Sequence, residues 1–214
     1  MPVVVLLVLV VLGVGGPFVY LHLLAKSYPP PFALPAAAGP SPGTAPLDGT
    51  WRVAPDSQAG YRAREEVLLQ GHDIAGRTGT VSGSVVVQGS AITSGRFTVG
   101  VTDLQANGRP QPGLSSVIDT AAHPDVTLTL DGPLPLVGLA AGTLAGSTPG
   151  RLSVNGVTRP VTFTFAARRQ ADTVQVAGSA PVELRDWQLT PPRWALIARL
   201  GDTATAEFLI TLQR

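Results

Sequence analysis

From Asp48 onward the chain is a succession of short runs with apolar residues at every second position, and this period of two limits the fold more than any other feature. Thr80–Gln88, TVSGSVVVQ, places Val81, Val85 and Val87 on one face. Arg96–Thr102 does the same with Phe97, Val99 and Val101, and Asp125–Leu130 with Val126, Leu128 and Leu130. Val157–Ala167 aligns Val161, Phe163 and Phe165. Thr173–Leu184 aligns Val174 with Val176 and Val182 with Leu184, and Ala204–Leu212 aligns Phe208, Ile210 and Leu212. Successive strand side chains point to opposite faces, so each run is a half-buried strand with Thr, Ser or charge on its other side. Gly89-Ser90 and Asp131-Gly132-Pro133 break the pattern, and Asn155-Gly156 is a two-residue hairpin signal. Only Pro112–Thr120, PGLSSVIDT, reads as helical, and it is short. Seven or eight strands at regular spacing predict an all-β antiparallel protein, either a sandwich or a closed barrel. A closed eight-stranded barrel has room inside for one small ligand.

The first 47 residues follow other rules. Val3 to Ala25 is uncharged, and its 23 residues would span about 35 Å as a helix, enough to cross a bilayer. Residues 1–26 are therefore read as an N-terminal transmembrane helix, with Lys26 closing the segment. A cleaved signal peptide is the alternative; it needs a basic start and a shorter apolar core. Residues 27–47 hold seven prolines with Ala, Gly and Ser, which predicts a semi-rigid spacer of at most about 65 Å. Residues 48–214 form the folded domain.

A net charge of +1 without a basic run argues against nucleic acid as a partner. The absence of cysteine excludes disulfides and thiolate chemistry, and a three-His metal site would need His22 from the apolar N-terminal run. No phosphate loop, dinucleotide fingerprint, nucleophile elbow or zinc signature occurs, so neither enzyme, metal nor cofactor is expected. Glu65-Glu66 is read as one solvated carboxylate and one paired with Arg62 or Arg64. His72, beside Asp73, is placed in a loop, and His123 before Pro124 in a turn.

Several segments fall in an order that resembles the YceI-like, polyisoprenoid-binding, lipocalin-like barrels. They begin with Trp51-Arg52-Val53-Ala54-Pro55-Asp56-Ser57, followed by Tyr61-Arg62-Ala63-Arg64-Glu65 and Gly76-Arg77-Thr78-Gly79-Thr80-Val81-Ser82-Gly83. Ala122-His123-Pro124-Asp125-Val126-Thr127-Leu128 comes next. The most specific element is the hairpin Gly150-Arg151-Leu152-Ser153-Val154-Asn155-Gly156-Val157-Thr158-Arg159-Pro160-Val161, and Arg185-Asp186-Trp187 follows it. The resemblance covers about residues 50–213. Two loops depart from the family pattern: Gly108 to Leu114 lacks an acidic residue, and Thr190-Pro191-Pro192-Arg193 replaces a Gly-Ile step.

The resemblance implies an eight-stranded lipocalin-like barrel with one or two short helices. It implies a membrane-anchored, actinobacterial-type member, single-pass in the cytoplasmic membrane with its barrel on the extracytoplasmic side. The partner it implies is a long-chain isoprenoid or other amphiphilic lipid, with homodimerisation a further possibility. Periodicity alone does not tell a filled interior from a hollow one; the resemblance points to a cavity. Its candidate lining is Tyr61, Val85, Val87, Phe97, Val99, Leu128, Leu130, Phe163, Phe165, Val176, Trp187, Phe208 and Ile210. Arg77 and Arg185 are the headgroup candidates, because a guanidinium suits an anionic headgroup at a barrel mouth. The alternative is a ligand-free envelope scaffold or stress-related module whose loops dock another protein.

The Asn155-Gly156 turn yields a test. A type I′ turn sets both residues at positive φ, so Gly156→Val is expected to destabilise the domain by about 1–3 kcal/mol, and Asn155→Gly to be nearly neutral. Thermal denaturation of the fragment starting at Asp48 checks this; equal melting temperatures for wild type and Gly156→Val would show that no tight turn forms.

Overall fold

The computed structural model describes residues 28–36, 46–67, 70–106, 109–110, 117–191, 193–194 and 198–214. The expected transmembrane segment, 1–26, and residues 112–116 of the expected helix lie outside these. Residues 117–120 form turns without a helix. Among the described residues no helix is long and apolar enough to cross a membrane.

The strands, in chain order, are β1 (Gly49–Val53), β2 (Gln58–Val67), β3 (Gln70–Thr78), β4 (Val81–Gln88), β5 (Ala91–Gly100), β6 (Gln105–Ala106) and β7 (Arg109–Pro110). There follow β8 (Asp125–Leu130), β9 (Leu134–Pro135), β10 (Thr143–Val154), β11 (Val157–Gln170), β12 (Thr173–Glu183), β13 (Arg193–Trp194) and β14 (Ala198–Gln213). Antiparallel pairing runs β1-β4-β5-β8-β10-β11-β12-β14, and β14 pairs back to β1, closing an eight-stranded barrel. β2 continues β1 along the edge of β14, and β3 continues β4, so two of the eight staves are interrupted strands. The only helical elements among the described residues are 3-10 turns at Leu139–Ala141 and Leu184–Trp187.

Sequence alternation locates six strands well and passes over β2 and β3. In those two, charged and small residues (RAREE, HD, Gly71, Gly76) hide the period. His72 consequently sits on a strand, not in a loop; it lies opposite Glu65, with Nε2 3.0 Å from the Glu65 carboxylate. Glu66 takes Arg199 at 2.7 Å. The carboxylate pair is thus split between two cross-strand partners, neither of them Arg62 or Arg64. The hairpin turns match their sequence signals. Asn155 and Gly156 have φ of 51° and 77°, and Gly89 and Ser90 have 58° and 64°, the positive values an I′ turn requires.

The seam is held by a side chain. Between β1 and β2, residues 54–57 leave the ladder. There the Ser57 hydroxyl accepts the Thr211 N–H at 3.0 Å and donates to the Thr211 carbonyl at 3.3 Å. The Ala54 N–H reaches the same carbonyl at 2.8 Å. Ser57 is 1% exposed, so water cannot replace it. Ser57→Ala strands the part-buried Thr211 N–H and is expected to cost about 1–3 kcal/mol. Urea denaturation should show a lower midpoint at unchanged slope; an unchanged midpoint would mean the seam is closed without this hydroxyl.

Candidate functional site

The inward faces of the strands enclose two apolar cavities. The larger, about 460 Å³, lies toward β2, β3 and the β6–β7 hairpin. The smaller, about 90 Å³, lies toward Trp51, Leu136 and Leu139 at the other end. The larger exists because the adjacent strands β2 and β14 present small side chains inward. Ala63 stands opposite Ala204, and Ala59 stands opposite Phe208. Ala59, Ala63, Ala204 and Ala206 all line the space. Where β4 and β12 instead carry Val85, Val87, Val174 and Val176, the lumen narrows to the smaller cavity.

The structure sorts the sequence candidates accordingly. Val85, Val87, Leu130, Phe165 and Val176 line the smaller cavity. Tyr61 and Val99 line the larger. Phe97, Leu128, Phe163, Phe208 and Ile210 border both and form a waist between them. Trp187 lines neither. It is packed in the 3-10 turn at the barrel end, where its indole N–H donates to the Leu152 carbonyl at 3.0 Å. Sequence reasoning missed the alanines. Their signal was present as small residues at alternate positions, but alanine is as common in a filled core as beside a void.

The two arginine candidates lie away from the cavity lining. Arg185 is exposed in the same 3-10 turn, 3.8 Å from the Asp186 carboxylate. Arg77 alternates with inward residues of β3 and so faces outward, 3.4 Å from the buried Glu207 carboxylate. Arg62 approaches the same oxygen at 3.5 Å. Glu207 also borders the larger cavity, but these two guanidiniums balance its charge. The charged group on the cavity rim with its side chain exposed is Arg109, on β7. Tyr61 adds a polar group within the wall. Burial first, then electrostatic repulsion from Tyr28 and Glu65 as the groups ionise, pushes its phenol up to about 12, so it stays protonated at any physiological pH. Among the described residues no group of three or more side chains could hold a metal ion.

Residues 28–36 run across the outer face of the barrel. The Pro29 carbonyl accepts from Arg62 at 2.8 Å, the Pro30 carbonyl from Arg77, and the Pro35 carbonyl from Arg168. The Phe32 ring lies 3.8 Å under the Arg77 guanidinium. From β2 to β11 there are three strand spacings, about 14 Å. Six residues of extended proline-rich chain cover about 19 Å, so the segment is long enough to cross. This part of the expected spacer is therefore packed onto the domain, because proline carbonyls, free of any ladder, accept from outward-facing arginines.

A family model described as the YceI-like domain matches residues 51–212. Two solved structures share the fold. One is a polyisoprenoid binding domain from Saccharophagus degradans implicated in plant cell wall breakdown, with TM-score 0.56 and 16% identity over 77% of this chain and 97% of that one. The other is Burkholderia cenocepacia BcnA, with TM-score 0.55 and 15% identity over 72% of this chain and 95% of that one. Comparison with curated proteins finds no match.

The cavity rim is tied to the hairpin. The Asp119 N–H donates to Asn155 Oδ1 at 3.0 Å, and the Asp119 carboxylate accepts the Ala122 N–H at 3.1 Å. His123 packs under the turn, where a Cβ at Gly156 would come within 2.9 Å of its ring. Beyond the Val101 N–H, which donates to the Pro124 carbonyl, Thr80 and Thr78 donate to the two oxygens of Asp103 at 2.6 and 2.9 Å, which holds the Asp103 carboxyl below the usual range. These contacts revise one expectation. Asn155→Gly suits the turn but removes the acceptor for Asp119, so it should cost about 1 kcal/mol rather than nothing. Hydrogen exchange at Asp119 should speed up in this variant; unchanged exchange would show that the 117–123 segment is held by other contacts.

Proposed function

This chain belongs to the YceI-like domain family, and on that premise we propose that it binds a long-chain isoprenoid or similar amphiphilic lipid inside its barrel. The observation that carries the reading is the larger cavity: about 460 Å³, walled mainly by Ala, Val, Leu and Phe, with few polar groups in its lining. A space of this size is in the range of small-molecule sites. A hollow apolar lumen also favours a ligand over the scaffold alternative, which calls for a packed interior. Burying each methylene stabilises the complex by about 0.8 kcal/mol, so a long tail supports tight binding without any specific polar contact. The neighbouring Saccharophagus degradans structure, described as a polyisoprenoid binding domain, supports the choice of ligand class.

In this reading the tail lies in the lumen and the headgroup at the rim, where Arg109 offers a guanidinium to an anionic group. Arg77 and Arg185 do not take that role, since one is engaged on the outer face and the other faces solvent at the barrel end. The uncharged run over residues 3–25 supports an anchor in the cytoplasmic membrane, with the barrel on its outer side as in exported members of the family. Binding rather than catalysis is the role such a lumen serves.

Native mass spectrometry of the full-length protein, extracted in mild detergent, should show a retained lipid of isoprenoid or similar mass. Arg109→Ala should lower retention of lipids with anionic headgroups about tenfold and leave uncharged ones unchanged, as expected for one charge-assisted hydrogen bond. A protein that is always recovered empty, and stays empty when lipid is supplied, would overturn the reading.

A further inference from the structure

The waist between the two cavities rests on a glycine. On neighbouring strands Phe165, Gly178 and Phe208 stand side by side on the inward face, with Gly178 in the middle. A Cβ at Gly178 would overlap Phe208 Cζ and come within 2.9 Å of its Cε2. The Phe208 ring therefore lies back across Gly178, against the barrel wall, in space that any other residue would occupy. From there it meets Phe163 at a centroid distance of 5.9 Å and an interplanar angle of 50°. Both rings border both cavities. The same Cβ would lie 3.0 Å from the Thr164 carbonyl oxygen, so the wall leaves it no room to shift away and the ring must yield, toward the lumen that it borders.

We infer that the two cavities are consecutive segments of one chain-binding tunnel, and that Phe208, seated on Gly178, is the residue that decides how long an alkyl or prenyl chain can be taken in. The inference rests on the lipid-binding reading above. The first part of the chain fills the larger cavity, whose rim carries Arg109. Its terminal carbons pass the waist into the smaller cavity, which is wholly apolar and floored by Leu136 and Leu139. The waist has no polar atom to satisfy, so a chain end crosses it at no desolvation cost, and its width alone sets the limit.

The test uses full-length protein in mild detergent and a mixture of homologous straight-chain primary alcohols, with occupancy read by native mass spectrometry. For wild type, affinity should rise about fourfold per methylene and level off once both cavities are filled. Gly178→Ala should level off at a shorter chain and lose roughly tenfold or more for the alcohols beyond it. Adding Phe208→Ala to Gly178→Ala should restore the wild-type limit, because no ring remains to be displaced. Ala167→Leu, which fills the smaller cavity from its own wall, should shorten the limit in the same way and provides the test if Gly178→Ala does not fold. Should wild type bind none of the alcohols, the lipid reading itself fails. Should wild type bind them with the same limit as folded Gly178→Ala and Ala167→Leu, lipid binding stands and the tunnel inference is overturned.

Discussion

A sheet of eight strands encloses a lumen only if its last strand finds its first, and here that meeting depends on β14. This strand, Ala198–Gln213, pairs with β12 along one edge and with both β1 and β2 along the other. The edge it offers is longer than either partner, and the gap at residues 54–57 is spanned by the Ser57 hydroxyl on Thr211. Without that bridge the Thr211 N–H would lose its partner at the gap in the ladder, and an unpaired buried backbone group costs as much as a lost hydrogen bond. Closure in turn fixes the circumference, and the circumference decides how much space the inward side chains must fill.

They do not fill it evenly. Large side chains meet at the waist, valines narrow one end, and alanines on β2 and β14 leave the other end open. Well-packed interiors leave few voids larger than a water molecule, so a lumen of this size sacrifices packing contacts that a filled core would have kept. The compensating interactions lie elsewhere. Loops are tied to the rim by Asp103 and by Asn155, and the outer face carries a buried ion cluster.

That outer cluster joins the domain to the segment before it. Glu207 pairs with both Arg62 and Arg77, and the same two guanidiniums bind the Pro29 and Pro30 carbonyls. A buried charge is tolerable only when paired and hydrogen-bonded, and the proline-rich segment supplies acceptors that the strands, already committed to the ladder, cannot.

The alternation of Val, Phe, Leu and Ile with Thr and Ser determined that the chain is a β-protein, which faces of β4, β5, β8, β11, β12 and β14 are inward, and where two hairpins turn. Those are local properties, set by the opposite pointing of neighbouring side chains and by the positive φ that Asn-Gly and Gly-Ser accept. Twelve of the thirteen lining candidates read from that pattern and from the family motifs border a cavity. Trp187 shows the limit: an apolar residue near a strand end can plug a barrel as readily as line it. Arg77 shows another, since Gly76 beside it carries no side chain to mark which face is inward. Hollow or filled, one cavity or two, and which arginine meets the rim were decided only by the tertiary structure. They depend on which residues strand pairing sets side by side on the inner wall, and Ala63 meets Ala204, or Gly178 meets Phe208, only after their strands have paired.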